Sequence, residues 1–393
     1  IGGYLKSKAG GLNDNDAKSL KSAPFRHNIE TIIKTDQCCS VLPPIFDRDT
    51  HVIGTPNGTI NLETGQLLMP DRSHYLTKST NVICEDSTPD IWLEFLNRVF
   101  NDDAELIGFI KRLCGYALTG LTCEERMFFC YGTGANGKSK FLETLFYIFG
   151  DYARRAPNTL FLESRNEQHP TSMAGLQGAR LVLGSELPSS KTWNEETLKD
   201  LTGGDTITAR RMRQDFFDFI PQFTLMIAGN HQPRLKNVDE SMTRRITLIP
   251  FNVTIPKEER DLKLGDKLKA EAGAILNWCA EGAVDYFESG LGIPDSILQA
   301  SQEYIENEDI TGEFIQLHLE QIGKRAEFKI IYNVYRDWMK DAGNNHIKRD
   351  REFKKELADR GMSFSRSNSV IWIDDYSLKL TPTAYQRGKY GET

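Results

Sequence analysis

No stretch of this chain approaches the roughly 20 consecutive apolar residues that a membrane-crossing helix needs. No signal-peptide pattern opens it either. Cysteine is sparse, with seven in 393 residues. There is no C-x-x-C and no Cys/His pairing at zinc spacing, and the adjacent Cys38-Cys39 is a poor framework for a disulfide or a metal. These absences exclude a disulfide scaffold and a structural zinc, and predict a reduced, cytoplasmic setting. Positive charge is also short: 48 Lys and Arg stand against 55 Asp and Glu, for a net charge of −7. That argues against a generic nucleic-acid coat but leaves room for a local basic channel. Repeats and low-complexity tracts are missing. The chain opens Ile1-Gly2-Gly3 without Met, so a preceding domain stays open. With 39% hydrophobic residues the composition is that of a globular protein of two or three domains.

What stands out is Gly132-Thr133-Gly134-Ala135-Asn136-Gly137-Lys138-Ser139, which fits the phosphate-binding pattern G-x-x-x-x-G-K-[ST]. Gly132, Gly134 and Gly137 let the backbone curl so that N–H groups point inward as an anion nest. Lys138 is placed for the β- and γ-phosphates, and the Ser139 hydroxyl for Mg²⁺. The flanks agree. Met127–Tyr131 reads as a buried strand, and residues 140–149 as a helix that Gly150 can end, so a phosphate would sit on a helix N-terminus.

Along the chain, residues 1–24 are polar and predicted to be loosely ordered. Phe25–Thr35 suits a helix, and His51–Leu68 suits strands joined by tight turns. Asp90–Phe100 and Asp102–Leu118 are amphipathic helices, with Asn101-Asp102-Asp103 as a capping turn. Candidate strands follow at Met127–Tyr131, Arg180–Gly184, Phe223–Ala228 and Ile246–Pro250, the pattern of a buried parallel sheet. Ala270–Phe287 reads as one helix. The end of the chain reads as helices and a hairpin, Ser363–Arg366 and Val370–Ile373, suggesting a small winged-helix-like module. The expected class is α/β. A mainly helical segment spans 1–119, a P-loop core 120–308 and the C-terminal module 309–393.

Further constellations surround the P-loop. The strand Arg180–Gly184 leads into Ser185-Glu186, and Glu186 suits activation of water and Mg²⁺ ligation. The next strand ends in Gly229-Asn230, where a neutral amide could orient that water; a turn is the plainer reading. In Thr206–Phe217 a Thr/Ile alternation leads to Arg210, Arg211 and Arg213 and then to aromatics. That suits a β-hairpin whose guanidinium groups meet single-stranded nucleic acid, or a solvated basic hairpin paired with Asp215 and Asp218. Arg244-Arg245 enter the last strand as a surface ion-pair site or an arginine finger.

These pieces, in this order, resemble the superfamily 3 helicases, in particular the helicase half of the primase-helicases of phages, plasmids and poxviruses. The resemblance rests on Gly132–Ser139, on Arg180–Glu186, on the Thr-Gly-Gly-Asp-Thr-Ile-Thr-Ala-Arg-Arg core of 198–213, on Ala228-Gly229-Asn230, and on Arg244-Arg245 before Ile249-Pro250-Phe251. It implies an AAA+-like ATPase that assembles as a homo-oligomeric, usually hexameric, ring with ATP and Mg²⁺ at subunit interfaces. Single-stranded DNA would thread the channel, moving 3′ to 5′. Lys138 and Ser139 would bind phosphate and metal, Glu186 would activate water and also face the metal, and Asn230 would sense the γ-phosphate. Arg245 best matches the finger donated in trans, and Arg244 is the second choice. Arg210, Arg211 and Arg213 match the element that grips DNA. Arg126 could touch the neighbour's phosphate. The single acid Glu186, after Ser185, departs from the two acids frequent in the family.

The function expected is a replicative, ATP-driven DNA helicase, the helicase part of a primase-helicase, with a primase domain or partner. Its rivals are a protein-remodelling ATPase without a DNA grip and an initiator that binds origin DNA through the C-terminal module.

Overall fold

A computed structural model describes residues 14–36, 45–163, 171–184, 191–235, 240–342 and 347–379. The chain begins with two helices, α1 (Asp14–Lys21) and α2 (Ala23–Thr35). Order therefore starts inside the segment expected to be loose. Ser22 caps α2 by accepting from Phe25 N, and Pro24 occupies its first turn, where a missing N–H costs nothing. Strands β1 (Val52–Thr55), β2 (Gly58–Asn61) and β3 (Leu67–Leu68) form an antiparallel meander. Then come α3 (Asp90–Val99) and α4 (Ala104–Thr119). Asn101 and Asp102 take left-handed backbone angles, and Asp103 caps α4 by accepting from Leu106 N at 3.0 Å.

The central part alternates strand and helix: β4 (Met127–Tyr131), α5 (Lys138–Phe149), β5 (Ala153–Ala156), the single turn α6 (Thr171–Ala174), β6 (Leu181–Gly184) and α7 (Glu195–Thr202). A hairpin of β7 (Ile207–Arg210) and β8 (Phe216–Phe219) interrupts it before β9 (Thr224–Gly229), α8 (Glu240–Arg245) and β10 (Ile246–Pro250). Five of these strands form one sheet in the order β10-β4-β9-β6-β5, every neighbour parallel. The near-continuous apolar runs of β4, β6, β9 and β10 are explained by burial on both faces, as parallel sheets require, whereas the edge strand β5 carries Arg154 and Arg155.

Helices α9 (Leu264–Ala270), α10 (Ala272–Ser289) and α11 (Asp295–Glu308) follow. The helix expected over Ala270–Phe287 is α10, which starts two residues later, after a break from α9 at Glu271. The break frees that carboxylate to accept from the backbone N–H groups of Ile91 and Trp92, at 3.0 and 3.1 Å, and so to cap α3. One apolar cluster runs from Ile53 through α3, α4, α5 and the sheet to Ile297. It crosses the boundary expected at residue 119, so the N-terminal segment and the sheet share a core. Trp92 lies at its centre, fully buried, with ring centroids of Phe95 and Phe141 5.6 Å away and that of Trp278 5.8 Å away.

Two features lock the N-terminal part to the sheet. Helices α4 and α10 cross where Gly115 meets Gly282. A Cβ on Gly115 would lie 2.0 Å from Ala283 N, and one on Gly282 would lie 2.1 Å from Lys111 O. Arg180, just before β6, is buried and donates to the carbonyls of Asp49 (2.7 Å), Thr50 (3.3 Å), Leu118 (3.3 Å) and Thr119. Two of these are carbonyls at the C-terminal end of α4, where a cation is favoured.

The last part packs around its own apolar cluster, from Phe314 to Ile373. It comprises α12 (Ile310–His318), β11 (Leu319–Gln321), β12 (Ala326–Glu327), α13 (Phe328–Asp341), α14 (Asp350–Asp359), β13 (Phe364–Ser367), β14 (Val370–Ile373) and β15 (Tyr376–Leu378). Three helices and the sheet order β12-β14-β13 make the winged-helix-like arrangement expected. No helix among the described residues is long and apolar enough to cross a membrane.

Candidate nucleotide site and basic hairpin

Because all five strands run the same way, their C-terminal ends lie along one edge, the edge where open α/β sheets place ligands. Residues 132–137 follow β4 there, and Asn230 follows β9. Ser185 and Glu186 come next after β6 in the sequence and lie outside the described residues. The loop has the conformation its glycines suggest: φ is +104° at Gly134, +52° at Ala135 and +86° at Gly137. A Cβ on Gly132 would lie 2.2 Å from Asn136 Nδ2, and one on Gly137 would run into Val99 and Phe95. The backbone therefore stays close to its support.

Asn136 is buried, and its amide donates to Phe251 O at 3.0 Å, tying the loop to the chain after β10. Ile255 N donates to Ala135 O at 2.8 Å. Lys138 is buried as well. Its Nζ donates to Asn230 Oδ1 at 2.7 Å, to Gly229 O at 3.0 Å and to Gly132 O. The structure thus brings Lys138 and Asn230, 92 residues apart in sequence, into direct contact. An incoming phosphate would compete for this ammonium against carbonyl and amide oxygens. Thr133 and Ser139 are exposed, and Ser139 opens onto the cavity beside Lys138. That cavity has a volume of about 610 Å³. Its far wall is one that sequence reasoning missed: Ile91, Phe95 and Arg98 of α3 face Leu262 and Leu264 of the 255–267 segment. An ion pair of Arg98 with Glu259 spans these two walls. Nothing local in α3 signals this; its apolar positions read as core, and Phe95 is both.

Arg244 and Arg245 end α8 and immediately precede β10. They therefore lie at the N-terminal edge of the sheet, separated from the P-loop of the same chain by the length of a five-residue strand, about 15 Å. Arg244 has a side chain 58% exposed, whereas that of Arg245 is 10% exposed. Arg245 Nη1 folds back onto Ser241, donating to its hydroxyl at 2.7 Å and its carbonyl at 3.1 Å. Both guanidinium groups share Glu125, at 3.1 and 3.3 Å. Glu125 sits at φ +52° in the turn before β4, and sequence reasoning did not single it out. Arg126 is half-buried on the same edge and donates to Thr247 Oγ1 at 3.1 Å. Burial pulls its pKa below the ordinary arginine value.

The hairpin pairs Ile207 with Phe219 and Arg210 with Phe216 across a tip of 211–215. Arg210 lies over the Phe216 ring and Arg211 over the Phe217 ring, each 5.2 Å from the centroid. Arg211 also donates to Gln177 Oε1 at 2.9 Å. The carboxylate of Asp218 takes the Thr208 hydroxyl at 2.7 Å rather than an arginine. Strand alternation carried through the hairpin would put Arg211 and Arg213 on one side. The strand ends at Arg210, however, and Arg213 takes φ +59°, so alternation does not reach them. Met212, Phe216 and Ile220 are exposed beside them, at 75, 59 and 58%.

A parallel sheet in this order, with a Gly-rich loop between its second strand and the following helix, defines an AAA+-like P-loop protein. Comparison with known proteins narrows the class. Residues 12–101 match the family model described as D5 N terminal like, and residues 130–245 match a family of unknown function, DUF5906. A protein of Acanthamoeba polyphaga mimivirus that carries a helicase name is 26% identical over 353 residues, covering 83% of this chain and 37% of that protein. One of Sputnik virophage, also with a helicase name, is 28% identical over 193 residues, covering 44% of this chain and 25% of its own. A protein of African swine fever virus with a primase name is 24% identical, covering 62% and 25%. The chain thus spans about a third or less of the length of these relatives. The solved C-terminal region of NrS-1 superposes with a TM-score of 0.46 at 13% identity, over 75% of this chain and 77% of that one. The chain is thus similar to viral proteins that carry helicase and primase names, and its first part to the D5 N terminal like family.

Proposed function

We propose that this chain is the ATP-driven motor of a replicative DNA helicase, working as a homo-oligomeric ring, hexameric by family analogy, in the host cytoplasm. The carrying observation is the placement of two half-sites on opposite edges of one sheet. Lys138 and Asn230 lie at the C-terminal edge, and Arg244 and Arg245 at the N-terminal edge. One chain cannot bring its arginines to its own P-loop, but a ring places one edge of each subunit against the other edge of the next. ATP would lie on Gly132–Ser139, its phosphates on Lys138 and its base toward Phe95 and Leu264. Ser139, with Glu186, would hold Mg²⁺, whose charge offsets that of the phosphates. Asn230 would orient water, and Glu186 would activate it. Arg244 has the exposure that a finger in trans needs; Arg245, the residue favoured by motif, would first have to leave Ser241. The hairpin arginines grip single-stranded DNA, and a change of interface moves the hairpin. A primase domain or partner is expected by family analogy.

The test is ATP hydrolysis with and without a single-stranded oligonucleotide, followed by strand displacement. We expect DNA-stimulated turnover and unwinding, both lost in Lys138→Ala. ATPase activity indifferent to DNA would favour the remodelling ATPase. Stimulation without strand displacement would favour an initiator.

A further inference from the structure

Three arginines, Arg126, Arg244 and Arg245, stand at the N-terminal edge of the sheet, and one carboxylate serves two of them. Arg244 Nη2 and Arg245 Nη2 both meet Glu125 Oε2, at 3.1 and 3.3 Å, and no other carboxylate among the described residues pairs with either. Glu124 is engaged elsewhere, accepting from Tyr286 Oη at 3.2 Å. A well-tied turn sets the position of Glu125. Its N–H donates to Thr122 O at 3.0 Å, Leu121 N donates to Thr119 Oγ1 at 3.1 Å, and Glu124 N donates to Tyr116 Oη at 3.3 Å. Glu125 itself takes φ +52°, a left-handed angle that a residue with a side chain keeps only where its surroundings impose it.

The two arginines are not equivalent. Arg245 is anchored from inside: its Nη1 is tied to Ser241, and the Gly203 turn lies against it, since a Cβ on Gly203 would come within 3.7 Å of Arg245 Nη2. Exposure rises from Arg245 through Glu125 to Arg244. The contacts Ser241–Arg245–Glu125–Arg244 therefore run from the interior to the surface, fixed at the buried end and free at the outer one. There Arg244 and Arg126 line a cavity of about 460 Å³. Without the carboxylate the two cations would repel, and the exposed one would swing out into water. We propose that Glu125 is a positioning residue for Arg244. It holds the guanidinium at the edge that meets the next subunit and hands it to the γ-phosphate of the nucleotide bound there. One anionic partner replaces another, so the cation is held both before and after the nucleotide arrives. The inference rests on the reading that Arg244 acts in trans.

The test uses the full chain and Glu125→Gln, which keeps the shape of the side chain and removes its charge; its melting temperature checks the fold. Its kcat for ATP should fall about tenfold, because a misplacement of about 1 Å can cost up to about a hundredfold. KM should stay within about twofold, because Lys138 of the other subunit still holds the phosphates. The deciding measurement mixes the variant one to one with Lys138→Ala subunits, with exchange followed by energy transfer between labelled subunits. Lys138→Ala subunits donate an intact Glu125 and Arg244 to the variant's P-loops. With random mixing and independent interfaces, turnover should rise from about a tenth to about a quarter of wild type, although half of the P-loops are dead. A defect confined to the variant's own fold would instead make turnover fall. A folded Glu125→Gln protein with wild-type kcat, or a mixture whose turnover falls, overturns the proposal. Mixing Arg244→Ala with Lys138→Ala in the same way separates the two ideas. Regain there without regain for Glu125→Gln removes only the role of Glu125, and no regain in either removes the trans arginine as well.

Discussion

Replacing Arg180 by Met should detach the N-terminal part from the sheet more than any surface change could. The Arg180 guanidinium donates to four carbonyls. Asp49 and Thr50 lie on the half-exposed segment before β1 and can recover water when the cation is gone. Leu118 and Thr119 are fully buried and cannot. An acceptor left dry costs about 1–3 kcal/mol, so these two cost about 2–6 kcal/mol together. Removing the buried charge returns part of that. A net loss of about 2–4 kcal/mol follows, which in a domain of this size class is roughly 5–15 °C in melting temperature. Arg180→Lys keeps the charge but presents one ammonium where a planar fork reaches acceptors on two segments, so it should recover less than half of the loss. Thermal unfolding by circular dichroism gives the magnitude. Limited proteolysis should cut first around residues 45–50. An Arg180→Met protein within about 0.5 kcal/mol of wild type, with unchanged cleavage, would refute the idea that this cation is the staple.

The arginine pair gives a second expectation. Arg244→Ala subunits and Lys138→Ala subunits should each lack turnover yet regain part of it when mixed, because some interfaces then pair an intact P-loop with an intact arginine; no regain despite proven subunit exchange would count against a trans role. Arg245→Ala, which also removes contacts to Ser241 and Glu125, should cost stability as well as turnover; a wild-type melting temperature would show that its burial contributes little. Single Arg210→Ala, Arg211→Ala and Arg213→Ala changes should weaken single-strand binding, each flattening the salt slope by roughly 0.7 while basal ATPase holds. If all three leave slope and unwinding untouched, the DNA contact lies elsewhere.

The sequence carried the P-loop, the strands and the hairpin well, because each is fixed by residues close together. Three glycines, a lysine and an apolar run on either side leave few alternatives for 127–149. What escaped the reading depends on distant partners. Glu271 in an apolar helix gave no sign that its carboxylate caps α3, 180 residues earlier. Arg180 looked like the first residue of a strand because its acceptors are backbone carbonyls, which every residue has. Glu125 looked like a loop acid, since only the fold brings Arg244 and Arg245 to it. The end at residue 119 passed for a boundary because α4 stops there at Gly120, a local event that says nothing about which core its apolar face joins. At the hairpin tip, alternation was carried past Arg210, where the strand already ends.

The contact between α4 and α10 has a mechanical consequence. Where Gly115 meets Gly282 there is no side chain to repack, so neither helix can ratchet past the other without backbone striking backbone. A joint of that kind transmits force without slack. The β-meander, α3 and the five-stranded sheet must then swing as one stiff plate, and whatever compliance a working cycle needs has to be sought outside it. The short link from Glu308 to Ile310 is a natural place, because beyond it the chain packs around a core of its own.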